Sequence, residues 1–436
     1  MEKIVINGLD EKIYHEKLDN GLNVYIYKKE DYAEKGAFFI TNYGSNKNEF
    51  IPLGKDKMKA FPKGIAHFLE HKLFESEDNE KTFDKFKKLG ADVNAYTNLN
   101  ITNYYFSTVY NFDECLETLL DFVQTPYFTD TNVEKEKGII NQEINMTNDD
   151  INRFLFQQAK LNTLFKNPNR YEVIGDKKNV SKITKEDLYE CYNTFYHPSN
   201  MALVIYGDVD IKKTFDLVKK NQKKKKFKKE EKIVIKKTFE KNEVKVPYKA
   251  YYKNVDDPRV MICYKIKTPV LTGEEKNKKI LFLGMLFDMK FGGTSSFERI
   301  LLKKKIIKTA LSWSFTIYDD TILLFFKATT DKKDLFIKEI DEKLRDEDLK
   351  KKYFDLIKKS NIASFVRDTE RPVSMARLIV NQINKYDGFI EEIFNLYKNY
   401  TLKELKEEFS SLNFDNKAVI YVSKKEVKDA KGKWRN

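Results

Sequence analysis

The residues best equipped for chemistry lie close together. The chain has four histidines in 436 residues, and two of them, His67 and His71, fall in GIAHFLEHKLFE, Gly64 to Glu75, with Glu70 between them. Residues four apart share one helix face and point the same way, so both imidazoles can meet one ion. Imidazole nitrogen is a good zinc ligand. Glu70 borders the same face, where a carboxylate can take a proton from a metal-activated water and pass it to a leaving amine. The competing account is a polar helix face turned to solvent, since short motifs also arise by chance.

Catalytic zinc takes three protein ligands and keeps one position open, so a third must come from elsewhere. Of the other histidines, His15 and His197, the latter sits in FYHPSN, before a proline, and reads as a loop residue. Glu143 is the better candidate. It lies in VEKEKGIINQEINM, seven residues after Glu136 and on the same helix face. One of these carboxylates can bind metal and the other can support it from behind. Alone, such a pair is ordinary solvated charge. Together with the His-x-x-Glu-His stretch it carries more weight.

The elements that must hold these residues follow from pattern. LNVYIY and GAFFITNYG read as strands, the first introduced by the Asn20-Gly21 turn. GIAHFLEHKLFE reads as a helix with apolar positions Ile65, Phe68, Leu69 and Leu73. EKTFDKFKKLG is a helix stopped by Gly90. DVNAYTN and TNYYFSTVY are β-type, and DECLETLLDFVQTP is an amphipathic helix. The stretch around Glu136 and Glu143 is one long helix opened by Asp and Thr caps. MALVIYGDVD is a buried strand.

The second half repeats the order strand, helix, helix, hairpin, helix, from PRVMICYKI to KAVIYVSKK. A duplication follows, and with it an α+β fold of two halves, each a mainly antiparallel sheet with helices packed on one face. The expected division is an N-terminal domain at 1–222 carrying the metal site, a Lys-rich linker at 223–238, and a C-terminal domain at 239–436. The linker assignment rests on KKNQKKKKFKKEEK, which holds almost nothing apolar.

Composition limits what else the chain can be. Net charge is +13, from 80 Lys+Arg against 67 Asp+Glu. Lysine greatly outnumbers arginine, the usual reader of bases and phosphates, so the charge reads as solvated surface and not as a nucleic-acid interface. The three cysteines, Cys115, Cys191 and Cys263, are far apart and form no framework; they read as small core residues in a reducing compartment. No apolar run is long enough to cross a membrane, and the N-terminal segment has no signal-peptide pattern, so a cytoplasmic protein is expected.

With these residues in view, the chain resembles the insulinase/pitrilysin-type zinc metallopeptidases, whose inverted motif HxxEH is met by His67, Glu70 and His71. NGLNVYIYKK, GADVNAYTNLNITNYYFS, LLDFVQTPYFTD, VEKEKGIINQEI and FYHPSNMALVIYGDVD extend the resemblance over most of residues 17 to 210. It is thinner beyond, where only element order and length agree. The nearest subgroup resembles small bacterial members related to mitochondrial processing peptidase, and those associated with elongation factor P modification.

The resemblance implies one Zn2+ per chain, held by His67, His71 and Glu143, with Glu70 as general base and Glu136 supporting activity. It implies that Asn94 and Ala95 lie on an edge strand to which substrate adds as an extra β-strand, a mode suited to extended or unfolded peptides. It implies a closed chamber formed by pairing with a second copy or a sister subunit. A non-catalytic assembly subunit of the same fold is the alternative. In one place the chain departs from the family. Where an Arg and a Tyr of the second half would grip substrate, it has Lys303 and no Tyr before Tyr318. The equivalent second-half helix, LFLGMLF, carries no metal motif.

Overall fold

Strands that are apolar on both faces need cover on both faces, and this requirement organises the chain. The computed structural model describes residues 1–77, 82–386, 389 and 391–424. Residues 80–81 of the helix expected before Gly90, and the end of the expected C-terminal domain (425–436), lie outside them.

The first unit comprises Met1–Thr147, Glu172–Lys237 and Ser364–Asn395. Its strands are β1 (Glu2–Val5), β2 (Lys12–Lys17), β3 (Asn23–Lys28) and β4 (Lys35–Thr41), then a separate ribbon of β5 (Glu49–Phe50) and β6 (Lys59–Ala60), then β7 (Ala91–Thr97), β8 (Thr102–Thr108) and β9 (Met201–Gly207). The seven-stranded sheet runs β1-β2-β3-β9-β4-β8-β7, so β7 is an edge. All its neighbours pair antiparallel except β3 and β9.

One face of this sheet is covered by α1 (Ile65–Leu73), α2 (Thr82–Lys88) and α3 (Phe112–Val123), with α4 (Asp130–Asp149) beside them. Val24, Ile26, Phe39, Tyr104 and Phe106 from the strands meet Ile65, Phe68, Leu69, Leu116 and Leu120 from the helices in one core. The strand residues that alternate with these, among them Phe38, Ile40, Val204 and Tyr206, are buried too. The helix Pro372–Tyr386 packs against β9, β3 and β4.

The second unit comprises Asn148–Tyr171, Thr238–Ala363 and Leu396–Asn436. Its sheet contains β10 (Tyr248–Tyr252), β11 (Arg259–Lys267), β12 (Ser312–Tyr318), β13 (Thr321–Thr329) and β14 (Lys417–Ser423), in the order β10-β14-β11-β13-β12. Val260, Ile262 and Tyr264 face the helix Gly273–Phe291 and its neighbours. Met261 and Cys263 face the other way, against Leu155 and Ala159 of α5 (Ile151–Thr163).

The duplicated α+β architecture is as expected, but the units are not contiguous halves. Residues 148–171 group with the second unit and 364–395 with the first. The physical reason is the second apolar face of each sheet, which α5 and the helix Pro372–Tyr386 respectively pack against. The stretch expected as a solvated linker also differs. Lys225 Nζ donates to the Leu120 carbonyl (2.9 Å) and Gln124 Oε1 (2.8 Å). The backbone of Val234 and Lys236 pairs with Ile51 and Glu49, and Ile233 and Ile235 pack on the core. Sparse apolar residues among the lysines thus anchor it to the first unit.

Candidate metal centre

α1 buries Ile65, Ala66, Phe68, Leu69 and Leu73, which leaves His67 and His71 on the adjoining face. Its start is fixed by Gly64 at φ 90°, where an added Cβ would meet the Ile174 carbonyl oxygen at 2.3 Å. α4 buries Val133, Ile140 and Ile144 in the same core and turns Glu136 and Glu143 toward α1.

His67 Nε2 and His71 Nε2 each lie 3.8 Å from Glu143 Oε2, and one ligand atom from each residue falls within 4.8 Å of the others. Among the described residues this is the one such group of three. Zinc with ligands at about 2.1 Å holds them roughly 3.4 Å apart in a tetrahedron, so small side-chain movements would close the set. Two imidazoles and a carboxylate are suitable donors for that ion. His67 Nδ1 is buried with no hydrogen-bond partner among the described residues, which leaves Nε2 as the ring's polar contact. These residues fit zinc.

Glu136 is buried and does not join the three. Its Oε1 lies 2.9 Å from His71 Nδ1. A carboxylate only accepts, so Nδ1 carries the proton and the Nε2 lone pair faces Glu143. Glu136 thus contacts His71 on the side of the ring away from Glu143, the place of a carboxylate behind a candidate ligand.

Glu70 is buried, and Thr97 Oγ1 donates to its Oε2 at 2.6 Å. Burial pushes the Glu70 carboxyl up, with Thr97 and His71 pulling against it. Burial, then the neighbouring His71, lowers His67 to about 3, so its ring is held neutral. For His71 burial acts downward too, but Glu136, Glu70 and Glu143 together outweigh it and the net shift is upward.

Asn94 and Ala95 lie on edge strand β7, with Asn94 exposed. The Ala95 N–H donates to Asn94 Oδ1 at 2.8 Å. His15 stacks on Tyr25 and contacts Glu2 and Asn23, apart from the metal set. His197 caps a short turn through Ser199 and meets the Lys228 carbonyl. Lys303 ends the helix Phe297–Lys303 and is exposed; Tyr318 ends β12.

Two residues escaped the sequence reading. One is Thr97. The other is Lys72, whose side chain is fully buried; its Nζ donates to the Asn132 carbonyl (3.2 Å) in the first turn of α4 and pairs with Glu75 (2.5 Å). A lysine inside the apolar stripe of α1 was the available signal.

An inverted His-x-x-Glu-His helix with a glutamate from a second helix, on a duplicated α+β frame, defines a metallopeptidase class. Comparison with known proteins agrees. Residues 57–177 match the family described as Insulinase (Peptidase family M16), and residues 182–361 match the Peptidase M16 inactive domain. The chain is 38% identical over 411 residues to the uncharacterized zinc protease YmfH of Bacillus subtilis (strain 168), covering 93% of this chain and 95% of that one. An M16-like peptidase from Alicyclobacillus acidocaldarius superposes with a TM-score of 0.90 at 30% identity, covering 96% of this chain and 99% of its own. A protease from Helicobacter pylori shares the fold, with a TM-score of 0.82 at 20% identity over 95% and 99% of the two chains. The chain belongs to the insulinase family, peptidase family M16, and is a zinc peptidase by class. No helix among the described residues is long and apolar enough to cross a membrane.

Proposed function

We propose that the chain is a zinc-dependent endopeptidase acting on extended or unfolded peptides, with Glu70 as its general base. The observation that carries this reading is the convergence within 4.8 Å of His67 and His71, on the helix that also bears Glu70, with Glu143 of α4. His67 Nε2, His71 Nε2 and Glu143 Oε2 would hold the ion. When bound, zinc supplies Lewis acidity toward a carbonyl and a water.

The rest belongs to the chain's own residues. Glu136 holds the His71 ring with Nε2 forward. Glu70 takes a proton from the attacking water and returns it to the leaving nitrogen; burial suits it to both by raising its affinity for that proton. β7, the last strand of its sheet, offers an edge for substrate backbone beside Asn94 and Ala95. Pairing with a second copy or a sister subunit would enclose the substrate. Three buried unpaired cysteines suit a reducing compartment such as the cytoplasm.

The test is metal content and peptide cleavage of wild type, Glu70→Gln and Glu143→Gln. Near-stoichiometric zinc is expected in wild type and Glu70→Gln, and much less in Glu143→Gln. Glu70→Gln should lose about 10²-fold or more in kcat. Wild type that takes up no zinc when supplied would instead favour a non-catalytic assembly subunit. Cleavage surviving in Glu70→Gln would remove Glu70 as base.

A further inference from the structure

Glu70 is a long side chain whose terminal torsion is soft, so a general base at this position needs something to aim it. The contact that does so comes from β7. Thr97 Oγ1 lies 2.6 Å from Glu70 Oε2. Behind it, Thr102 of β8 lies directly across the ladder from Thr97, with its Oγ1 3.1 Å from Thr97 Oγ1 and 2.9 Å from the Tyr43 carbonyl oxygen. Tyr43 and Thr102 are both fully buried.

Proton counting assigns the direction of these contacts. Each hydroxyl has one proton to give. The carbonyl of Tyr43 can only accept, so Thr102 spends its proton there. Thr97 is left to donate to Glu70, which as a carboxylate can only accept. No proton is then left between the two hydroxyls, so Thr102 backs Thr97 by contact only (3.1 Å); Thr97 is held by its place on the β7–β8 ladder and Thr102 by a main-chain carbonyl in the core.

The same strand carries Asn94 and Ala95, three and two residues before Thr97. Over so short a length a strand is one rigid element, and a peptide paired to its edge is set at a fixed distance from the Thr97 hydroxyl. From this geometry we infer that Thr97 is a positioning residue: it aims the Glu70 carboxylate and ties that aim to the strand that receives substrate. The inference rests on the reading of Glu70 as general base. Thr97 touches neither the metal ligands nor the reacting atoms and acts through Glu70.

The test uses Thr97→Val, which keeps shape and removes the hydroxyl, and Thr97→Ser, which keeps the hydroxyl. Steady-state cleavage of an unstructured peptide, zinc content, and a crystal structure of each metal-free variant are the readouts. Thr97→Val should hold zinc like wild type, keep its KM, and lose about ten- to a hundredfold in kcat, the scale of a misplaced catalytic group. Thr97→Ser should recover most of the loss. The Glu70 carboxylate should lose its single orientation in Thr97→Val and keep it in Thr97→Ser. A Thr97→Val enzyme with wild-type kcat, an unchanged Glu70 orientation in that variant, or Thr97→Ser behaving like Thr97→Val would each overturn the inference alone. Wild type that holds zinc and cleaves no peptide would overturn the general-base reading, and this inference with it.

Discussion

His71 Nδ1 lies 2.9 Å from Glu136 Oε1, while His71 Nε2 lies 3.8 Å from Glu143 Oε2. One ring is therefore held between two carboxylates seven residues apart on α4. The rear carboxylate fixes the tautomer, and the front one lies where it would share an ion with Nε2 on the proposed reading. A helix repeat of two turns suffices to supply both.

Glu136→Ala should weaken zinc binding about 10- to 100-fold, the usual effect of losing the partner behind a ligand. Zinc titration against a competing chelator measures it. At saturating zinc the kcat of this variant should recover far more than that of Glu70→Gln, because Glu136 orients a ligand and moves no substrate proton.

The lowered His67 makes the metal-free protein sensitive to acid. Its reference value is 6.5 and its folded value about 3. Between these the unfolded chain binds a proton that the folded chain refuses, so stability falls as pH falls. Metal-free wild type should lose about 2 kcal/mol more than metal-free His67→Gln between pH 7 and pH 5. His71, raised in the fold, contributes with the opposite sign and is common to both proteins. Denaturant unfolding at the two pH values reads the difference.

Chelation should leave the fold in place. The core that seats α1 and α4 is apolar and independent of the ion. Far-UV circular dichroism should be unchanged after metal removal, while melting falls by about 5–10 °C and returns when zinc is added to about 100 times its Kd.

Glu240 and Lys265 in the second unit form an ion pair at 2.8 Å with no side-chain exposure. Glu240 also accepts from the N–H groups of Phe165, Lys166 and Asn167. Burial alone would raise its carboxyl, but Lys265 and these donors hold it below the usual range. Glu240→Ala strands a buried ammonium and three amides, so a loss of about 3–5 kcal/mol is expected. Hydrogen exchange at Phe165 to Asn167 should quicken accordingly, with zinc content unchanged.

The grouping of the candidate metal ligands was largely legible in sequence because the spacing that carries it is local. His67 and His71 report their shared face through spacing alone, and α1 ends within a few residues of where the apolar pattern stops. Thr97 was not legible. A threonine in a strand is ordinary, and nothing in the sequence reveals that its hydroxyl reaches a carboxylate 27 residues away. α5 was missed for another reason: the polar run before it, TNDD, reads as the end of a long helix. It does end α4, at Asp149, but its last residue, Asp150, also opens the next helix by accepting from Asn152 and Arg153. The lysine-rich stretch misled through composition, because two isoleucines, main-chain hydrogen bonds and the Lys225 side chain fix its path.

The Ala95 N–H, already taken by the side chain of Asn94, gives β7 a character beyond that of a bare edge. An open strand edge is a template on which any extended chain can grow, including a neighbour's. Here a visiting chain must first displace an internal acceptor. A single isolated contact gains nothing by the exchange, and only a chain that pairs along several residues comes out ahead. On the proposed reading the edge would thereby discriminate by length of extended backbone, turning away brief encounters and the short exposed loops of folded neighbours before any side chain is read.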